Sequence, residues 1–415
     1  MKFGLIGKNL SHSYSKHIHE LMFLKNYQLL SINHVNEVFN HDLDGFNITN
    51  PFKTDILNHL DELDNFAKET NVVNTVIKRN HQLYGYNTDL DGFDYLVQFH
   101  HINFENKNVI IIGNGSTSNT IAHYLKNKKI KSLIKLVRTI RNDNEDKLAH
   151  QSQYSNTNII INTTPVGMFP NNEDKLLINF HNFKKCELVI DLIYNPYRTQ
   201  LLIEAEKFNI KTVNGLYMLI GQAKKTQELL LNKTIPNTIM DKIYHQAIDQ
   251  YVNIVFIGLP LSGKTSYGKI LSQETSKEWI DSDILIESYS KLSIKEIFKL
   301  YGEEKFRSLE KELFHLIYKK QGIIISCGGG VVLNSINIDL LKQNGMIIYI
   351  NRDVSEIDIN DDSRPLLNQK SDLIKLVKER SNLYQKHSDI ELKINQKMPF
   401  SIERMNNKIH EYLNR

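Results

Sequence analysis

The chain has 415 residues, more than one ordinary domain needs and enough for two or three buried cores. Its apolar fraction of 41% and charged fraction of 24% are those of a globular protein and exclude disordered and collagen-like classes. The 51 basic and 47 acidic residues are interspersed, for a net charge of +4, with no basic block suited to nucleic acid, so a polyanion partner is not expected and small anionic ligands stay open.

The opening MKFGLIGKNLSHS has too short an apolar run for a signal-peptide core, and no stretch approaches bilayer length. A cytoplasmic protein with no membrane partner is expected. Cys186 and Cys327 lie far apart without metal-ligand spacing, which suggests neither a disulfide framework nor a zinc site. His12, His17 and His19 have no paired acid or metal set and read as solvated or capping residues.

Short apolar runs bounded by Gly, Asn or Asp alternate with longer helical patterns, which predicts βαβ units and mostly parallel sheets. Two such runs end in glycine turns that lead into helices: NVIIIGNGSTSNT at 108–120 and NIVFIGLPLSGKTS at 253–266. A helix N-terminus offers free N–H groups and a positive dipole end to phosphate, so two nucleotide domains are expected. The first turn departs from G-x-G-x-x-G/A, because Ser118 stands where a third glycine or alanine belongs. A proline break and a helical pattern at 232–251 put the main boundary near 248.

Around the first turn lie GLIGKNLSHSYSKHIHE, GFNITNPFKTDILNHLDELD, ETNVVNTV, GYNTDLDGF, INTTPVGM, DLIYNPYRTQLL and NGLYMLIGQA. Together they resemble shikimate dehydrogenase across residues 1–248. The resemblance implies a substrate lobe from 1–103 and 213–248 and a Rossmann-like NADP domain from 104–212. It implies Lys53 and Asp89 as an ammonium–carboxylate pair that relays a proton to the alkoxide formed on ketone reduction. Ser13 and Ser15 are then donors to the substrate carboxylate, Thr49, Asn74 and Gln222 partners of ring hydroxyls, and Tyr194 a further contact.

In that family the glycine turn reads like G-x-G-G-x-x, so Gly113, Asn114, Gly115, Ser116 and Thr117 hold the cofactor, with Ser116 in place of the usual third glycine. Ile193, Gly215 and Met218 are the implied nicotinamide neighbours. Where an NAD site carries an acid, the second strand of this domain ends in Arg138-Thr139, with Arg141 just beyond, which favours NADP(H).

GLPLSGKT at 258–265 satisfies the P-loop pattern after an apolar strand. WIDSDILIES, IKEIFKLYGEEKFRSLEKELF, ISCGGGVVLN, SRPLL and KERSNLY follow in that order, and the series resembles shikimate kinase over 252–415. A P-loop NTPase-type α/β/α domain over 249–415 is implied. Leu261, Ser262, Gly263, Lys264, Thr265 and Ser266 would hold ATP, joined by Arg364 from a lid, with Lys264 meeting the charge of the transferred group. Asp281 and Asp283 follow a short strand, and alternation is read as sending them to opposite sides, to serve different ligands. The resemblance gives Asp281, with Thr265, to Mg²⁺ and Asp283 to the acceptor hydroxyls. Arg307 and Arg380 would clamp the substrate carboxylate, and Gly329 would bind the acceptor. Alone, FRSLEKELF reads as an amphipathic helix with i,i+3 and i,i+4 ion pairs.

The halves imply successive activities: 3-dehydroshikimate is reduced to shikimate with NADPH, and shikimate is phosphorylated with Mg·ATP. Retention of Lys53, Asp89, Lys264 and Asp283 points to turnover at both sites. The alternative is a quinate/shikimate dehydrogenase fused to a kinase-like regulatory or binding domain with little turnover.

Overall fold

The computed structural model describes residues 2–174, 177–357 and 370–413. Contacts divide the chain into two compact units, Met1–Ala247 and Ile248–Arg415.

The first unit opens with a six-stranded sheet of β1 (Phe3–Gly7), β2 (Tyr27–Ser31), β3 (Gly45–Ile48), β4 (Glu62–Leu63), β5 (Thr75–Arg79) and β6 (Gln82–Tyr86), in the order β2-β1-β3-β5-β6-β4. Helices α1 (Ser15–Met22), α2 (Asn65–Thr70) and α3 (Asp89–Phe99) belong to this part. β5 runs antiparallel to both β3 and β6, so this sheet is mixed, the exception to the mostly parallel pairing expected. For β5 and β6 the cause is local: Asn80 and His81 both take positive φ between the two strands and close a hairpin.

The second sheet is wholly parallel: β7 (Asn108–Ile112), β8 (Ser132–Val137), β9 (Glu145–Lys147), β10 (Ile159–Asn162), β11 (Leu188–Asp191) and β12 (Lys211–Asn214), in the order β12-β11-β10-β7-β8-β9. Alternation along NVIII explains its two-sided burial. Val109 and Ile111 join one apolar cluster with Ile121 and Leu125 of α4 (Ser116–Lys126), while Ile110 and Ile112 join another with Leu201 and Leu202 of α5 (Gln200–Lys207). Each such side chain contributes about 1.5–3 kcal/mol on burial. Strand order reverses between β7 and β10, and the crevice at their carboxyl ends is where such sheets bind ligands.

α6 (Leu216–Leu231) packs closely on α3. The crossing requires glycine on both sides, since a Cβ at Gly92 would lie 2.5 Å from the Met218 carbonyl oxygen and one at Gly221 would lie 3.1 Å from Gly92 Cα. α7 (Thr238–Tyr251) follows and carries the chain into the second unit.

There β13 (Asn253–Ile257), β14 (Trp279–Asp281), β15 (Ile324–Ser326), β16 (Gly345–Arg352) and β17 (Ile390–Ile394) form a parallel sheet in the order β14-β15-β13-β16-β17. Its helices are α8 (Lys264–Thr275), α9 (Ser282–Ser290), α10 (Ile294–Ile317), α11 (Ser335–Asn344), α12 (Lys370–His387) and α13 (Ile402–Leu413). α10 begins on a capping box, Ser293 and Glu296 bonding reciprocally, and bends at Gly302, whose φ is +78°. Among the described residues no helix is long and apolar enough to cross a membrane. Cys327 is buried and Cys186 half-buried, and both are unpaired.

Candidate active sites

In the first unit, Lys53 Nζ and Asp89 Oδ2 are 2.5 Å apart although 36 residues separate them in sequence. They meet because Lys53 follows the turn after β3 and Asp89 opens α3. Both are buried, at 7% and 3% exposure, so the pair is shielded from water rather than solvated. Asn74 completes a cluster: its Nδ2 donates to Asp89 Oδ1 at 2.7 Å and to Gln222 Oε1 at 3.1 Å, and its Oδ1 accepts from Thr88 N at 2.8 Å.

Ser13 Oγ donates to Ser15 Oγ at 3.1 Å, and the intervening Tyr14 packs on Tyr194 with ring centroids 5.1 Å apart. Thr49 N donates to Ile6 O at 2.8 Å, which sets that half-buried threonine at the end of β3.

His19 is not solvated. It is buried at 3% exposure, stacked on Tyr27 at 4.2 Å and 3.2 Å from Gln227 Nε2, and burial lowers its pKa to about 3. Its place on the buried face of α1, one residue after Ile18, turns the ring inward.

The first glycine turn has Gly113 at φ +105° and Gly115 as N-cap of α4, with open space where a Gly115 Cβ would stand. Exposed backbone N–H groups and a helix N-terminus fit a pyrophosphate there. Ser118 is wholly buried, and its hydroxyl donates to Gly113 O at 2.7 Å, so it braces the turn from behind. Ser116 Oγ reaches Asn50 Oδ1 at 3.4 Å, and Thr117 is half-buried beside it.

Arg138, Thr139 and Arg141 are exposed at the end of β8. Glu145, which sequence reasoning missed, organises this loop, accepting from Arg141 N at 2.7 Å, Asn142 Nδ2 at 3.1 Å and Asn114 Nδ2 at 3.4 Å. Burial pushes its pKa up, but those hydrogen bonds outweigh burial and hold it below the usual carboxylate range.

Ile193, Gly215 and Met218 are all buried near the carboxyl ends of β11 and β12. Gly215 N donates to Ile193 O at 3.0 Å, and a Gly215 Cβ would overlap the Leu192 carbonyl. Asp191, also missed, sets this loop by accepting from Thr199 Oγ1 at 2.6 Å, Asn162 Nδ2 at 2.9 Å and Ile193 N at 3.1 Å. Burial raises its pKa to about 7.

In the second unit the P-loop wraps the start of α8. Lys264 Nζ donates to Leu259 O at 2.6 Å and to Gly258 O at 3.0 Å, and Gly263 takes φ +101°. Leu261 holds a left-handed φ of +61°, which a glycine would adopt freely. Ser262 is fully buried and Ser266 exposed. Arg364 and the lid lie outside the described residues.

Thr265 Oγ1 donates to Asp281 Oδ2 at 2.6 Å, while Asp281 Oδ1 caps α9 by accepting from Asp283 N at 3.0 Å and Ile284 N at 3.3 Å. These hard oxygen donors beside a phosphate loop fit Mg²⁺. Strand alternation does not separate the two aspartates, since residues two apart on a strand share a face. β14 ends at Asp281, so Asp283 already lies in the first turn of α9 and points elsewhere.

The three glycines after β15 press on the implied acceptor site. An added Cβ would overlap Asp283 Oδ1 at Gly328 and the Arg307 guanidinium at Gly330, and would lie 2.8 Å from Pro260 at Gly329. Arg380 Nη1 and Tyr384 Oη both donate to Gly329 O, at 3.2 Å and 2.5 Å. Arg307 does make both helical ion pairs, 2.9 Å to Glu303 and 3.1 Å to Glu310, as the amphipathic reading expects.

Glu310 and Tyr384 were missed, although Glu310 stands three residues after Arg307 on the same helical face. Glu310 is fully buried, and burial, partly offset by Arg307, pushes its pKa up to about 7. Its Oε1 and Arg380 Nε are buried polar atoms without partners among the described residues, the mark of a pocket built for a polar ligand.

Hydride transfer in the first unit and phosphoryl transfer in the second are the reaction classes these two arrangements define. Residues 5–76 match the family model for the shikimate dehydrogenase substrate binding domain, and residues 260–414 match that for shikimate kinase. The chain is 31% identical to the shikimate dehydrogenase (NADP(+)) of Clostridium perfringens, over 59% of its own length and 97% of the relative's. It is 36% identical to that of Methanococcus vannielii, over 54% and 89% of the two lengths. Among solved structures, shikimate dehydrogenase 1 from Peptoclostridium difficile superposes with a TM-score of 0.55 at 33% identity, covering 59% of this chain and 97% of that one. The chain therefore belongs to the shikimate dehydrogenase family, and it carries a shikimate kinase domain behind the dehydrogenase.

Proposed function

We propose that this bifunctional enzyme reduces 3-dehydroshikimate to shikimate with NADPH and then phosphorylates shikimate to shikimate 3-phosphate with ATP. The observation that carries the reading is the buried Lys53–Asp89–Asn74 cluster, joined in one chain to a P-loop with a carboxylate–arginine pocket beside it.

When bound, NADPH supplies the hydride. Lys53 gives its proton to the oxygen of the reduced carbonyl, and Asp89, 2.5 Å away, stabilises the ammonium before transfer and orients it throughout. Asn74 and Gln222, tied to that pair, hold ring hydroxyls, while Ser13, Ser15, Thr49 and Tyr194 complete the substrate's contacts. Gly113 to Thr117 bind the pyrophosphate, and Arg138 and Thr139 take the 2′-phosphate.

In the kinase unit Asp283 orients the 3-hydroxyl and accepts its proton as oxygen attacks phosphorus. Arg307, Arg380 and Gly329 hold the rest of the ring. Lys264 offsets the charge moving onto the leaving ADP, and Thr265 and Asp281 hold Mg²⁺. The hydroxyl made at the first site is the one phosphorylated at the second. The unpaired thiols go with a cytoplasmic setting.

The test supplies 3-dehydroshikimate, NADPH and Mg·ATP to the full chain and follows both products by mass spectrometry. Lys53→Ala lowers NADPH oxidation by about 10²–10⁴-fold and spares phosphorylation of added shikimate, and Asp283→Asn does the reverse. Loss of both activities in either variant, with the fold intact by circular dichroism, would falsify the two-site reading.

A further inference from the structure

We infer that Asn87 is a positioning residue that couples the cofactor turn to the proton-transfer pair, so that NADP(H) and shikimate bind the dehydrogenase unit cooperatively. This rests on the assignments of the 113–117 turn and of Lys53 and Asp89 made above.

Asn87 lies between β6 and α3 and is 1% exposed. Its Nδ2 donates to Thr70 Oγ1 at the end of α2, at 2.9 Å, and to Thr120 Oγ1 in α4, at 3.0 Å. Each threonine hydroxyl donates its own proton to a helix carbonyl, Thr70 to Phe66 O at 2.6 Å and Thr120 to Ser116 O at 3.3 Å. Only an amide N–H can then satisfy them, which fixes the orientation of the Asn87 side chain. Its Oδ1 is buried with no partner among the described residues.

The contacts run without a break between the two sets of groups. Ser116 opens α4 and belongs to the turn, Thr120 holds the Ser116 carbonyl, and Asn87 holds Thr120. One residue on, Thr88 N and Oγ1 both donate to Asn74 Oδ1, at 2.8 and 3.1 Å, and Asn74 Nδ2 donates to Asp89. A second tie, Ser116 Oγ to Asn50 Oδ1, reaches the loop that carries Lys53 three residues later. Any shift of α4 on loading the turn is thus felt by both members of the pair, and linkage requires the effect to be reciprocal.

The experiment measures NADP⁺ binding to the full-length protein by calorimetry, with and without saturating shikimate. In the wild type shikimate tightens NADP⁺ by about tenfold. Thr120→Val, which keeps the shape but removes the acceptor, lowers this factor several-fold, the Ser116–Asn50 tie carrying what is left, and Thr120→Ser restores it. Thr70→Val removes the other acceptor of the same amide and lowers stability, but keeps the factor. Thr120→Cys gives the same reading as the valine variant should that variant fail to fold.

A wild-type factor of one, retention of the factor in Thr120→Val, or equal loss in Thr70→Val each overturns the inference. Failure of the underlying site assignment looks different: neither ligand then binds the wild-type dehydrogenase unit.

Discussion

At the scale of single residues, the serine that breaks the dinucleotide pattern is explained by its burial. Ser118 faces the sheet and hydrogen-bonds the backbone of the turn, so the position asks for a small residue and uses the extra hydroxyl. That much could be read from size alone, whereas the roles of Glu145, Asp191, Asn87 and Glu310 could not. Each acts through partners brought close by the fold, and a lone carboxylate or amide in a sequence carries no sign of being buried. His19 shows the converse: next to other histidines it looks polar, but its place on α1 turns it inward. Its pH effect has a definite sign. The folded pKa of about 3 lies below the unfolded value, so the fold favours the neutral ring. The stability this gives is complete above about pH 6.5 and is lost as pH falls toward the folded pKa. Urea midpoints of the dehydrogenase unit should fall between pH 7 and pH 4.5, and His19→Phe, which keeps the stack on Tyr27, should flatten that slope. A variant with an undiminished slope would place the acid sensitivity elsewhere.

At the scale of elements, the strands that end in glycine turns were legible because β7 and β13 are short apolar runs covered on both faces. The mixed first sheet was less so, since its β5–β6 hairpin depends on a turn of Asn80 and His81 with no glycine to announce it. Nor does sequence reveal that Gly92 and Gly221 form the crossing of α3 with α6. That crossing reverses a familiar sign. Glycine inside a helix is ordinarily worse than alanine by roughly 0.5–1 kcal/mol. At Gly92 the new methyl would meet the Met218 carbonyl and Gln222 N, and overpacking of this kind costs about 1–3 kcal/mol. Gly92→Ala should therefore destabilise the dehydrogenase unit in chemical denaturation while leaving the kinase transition in place, and a stabilised variant would refute the close approach.

For the whole molecule, no sheet is shared between the units: the first has two sheets and the second one, each packed with apolar clusters of its own. Ligands should then act separately on melting. NADP⁺ at a hundred times its dissociation constant stabilises its own unit by about 2.7 kcal/mol, and Mg·ATP does the same for the other. Calorimetry should show two transitions, each raised by one nucleotide only; a single transition raised by both would mean that the units unfold together. The two native thiols add a practical consequence. Burial pushes the Cys186 pKa to about 12 and that of Cys327 well above the ordinary value, so neither is appreciably a thiolate at neutral pH. The protein is thus a nearly blank background for maleimide chemistry: a cysteine introduced at an exposed site would take a fluorophore selectively, with both native cysteines left in place.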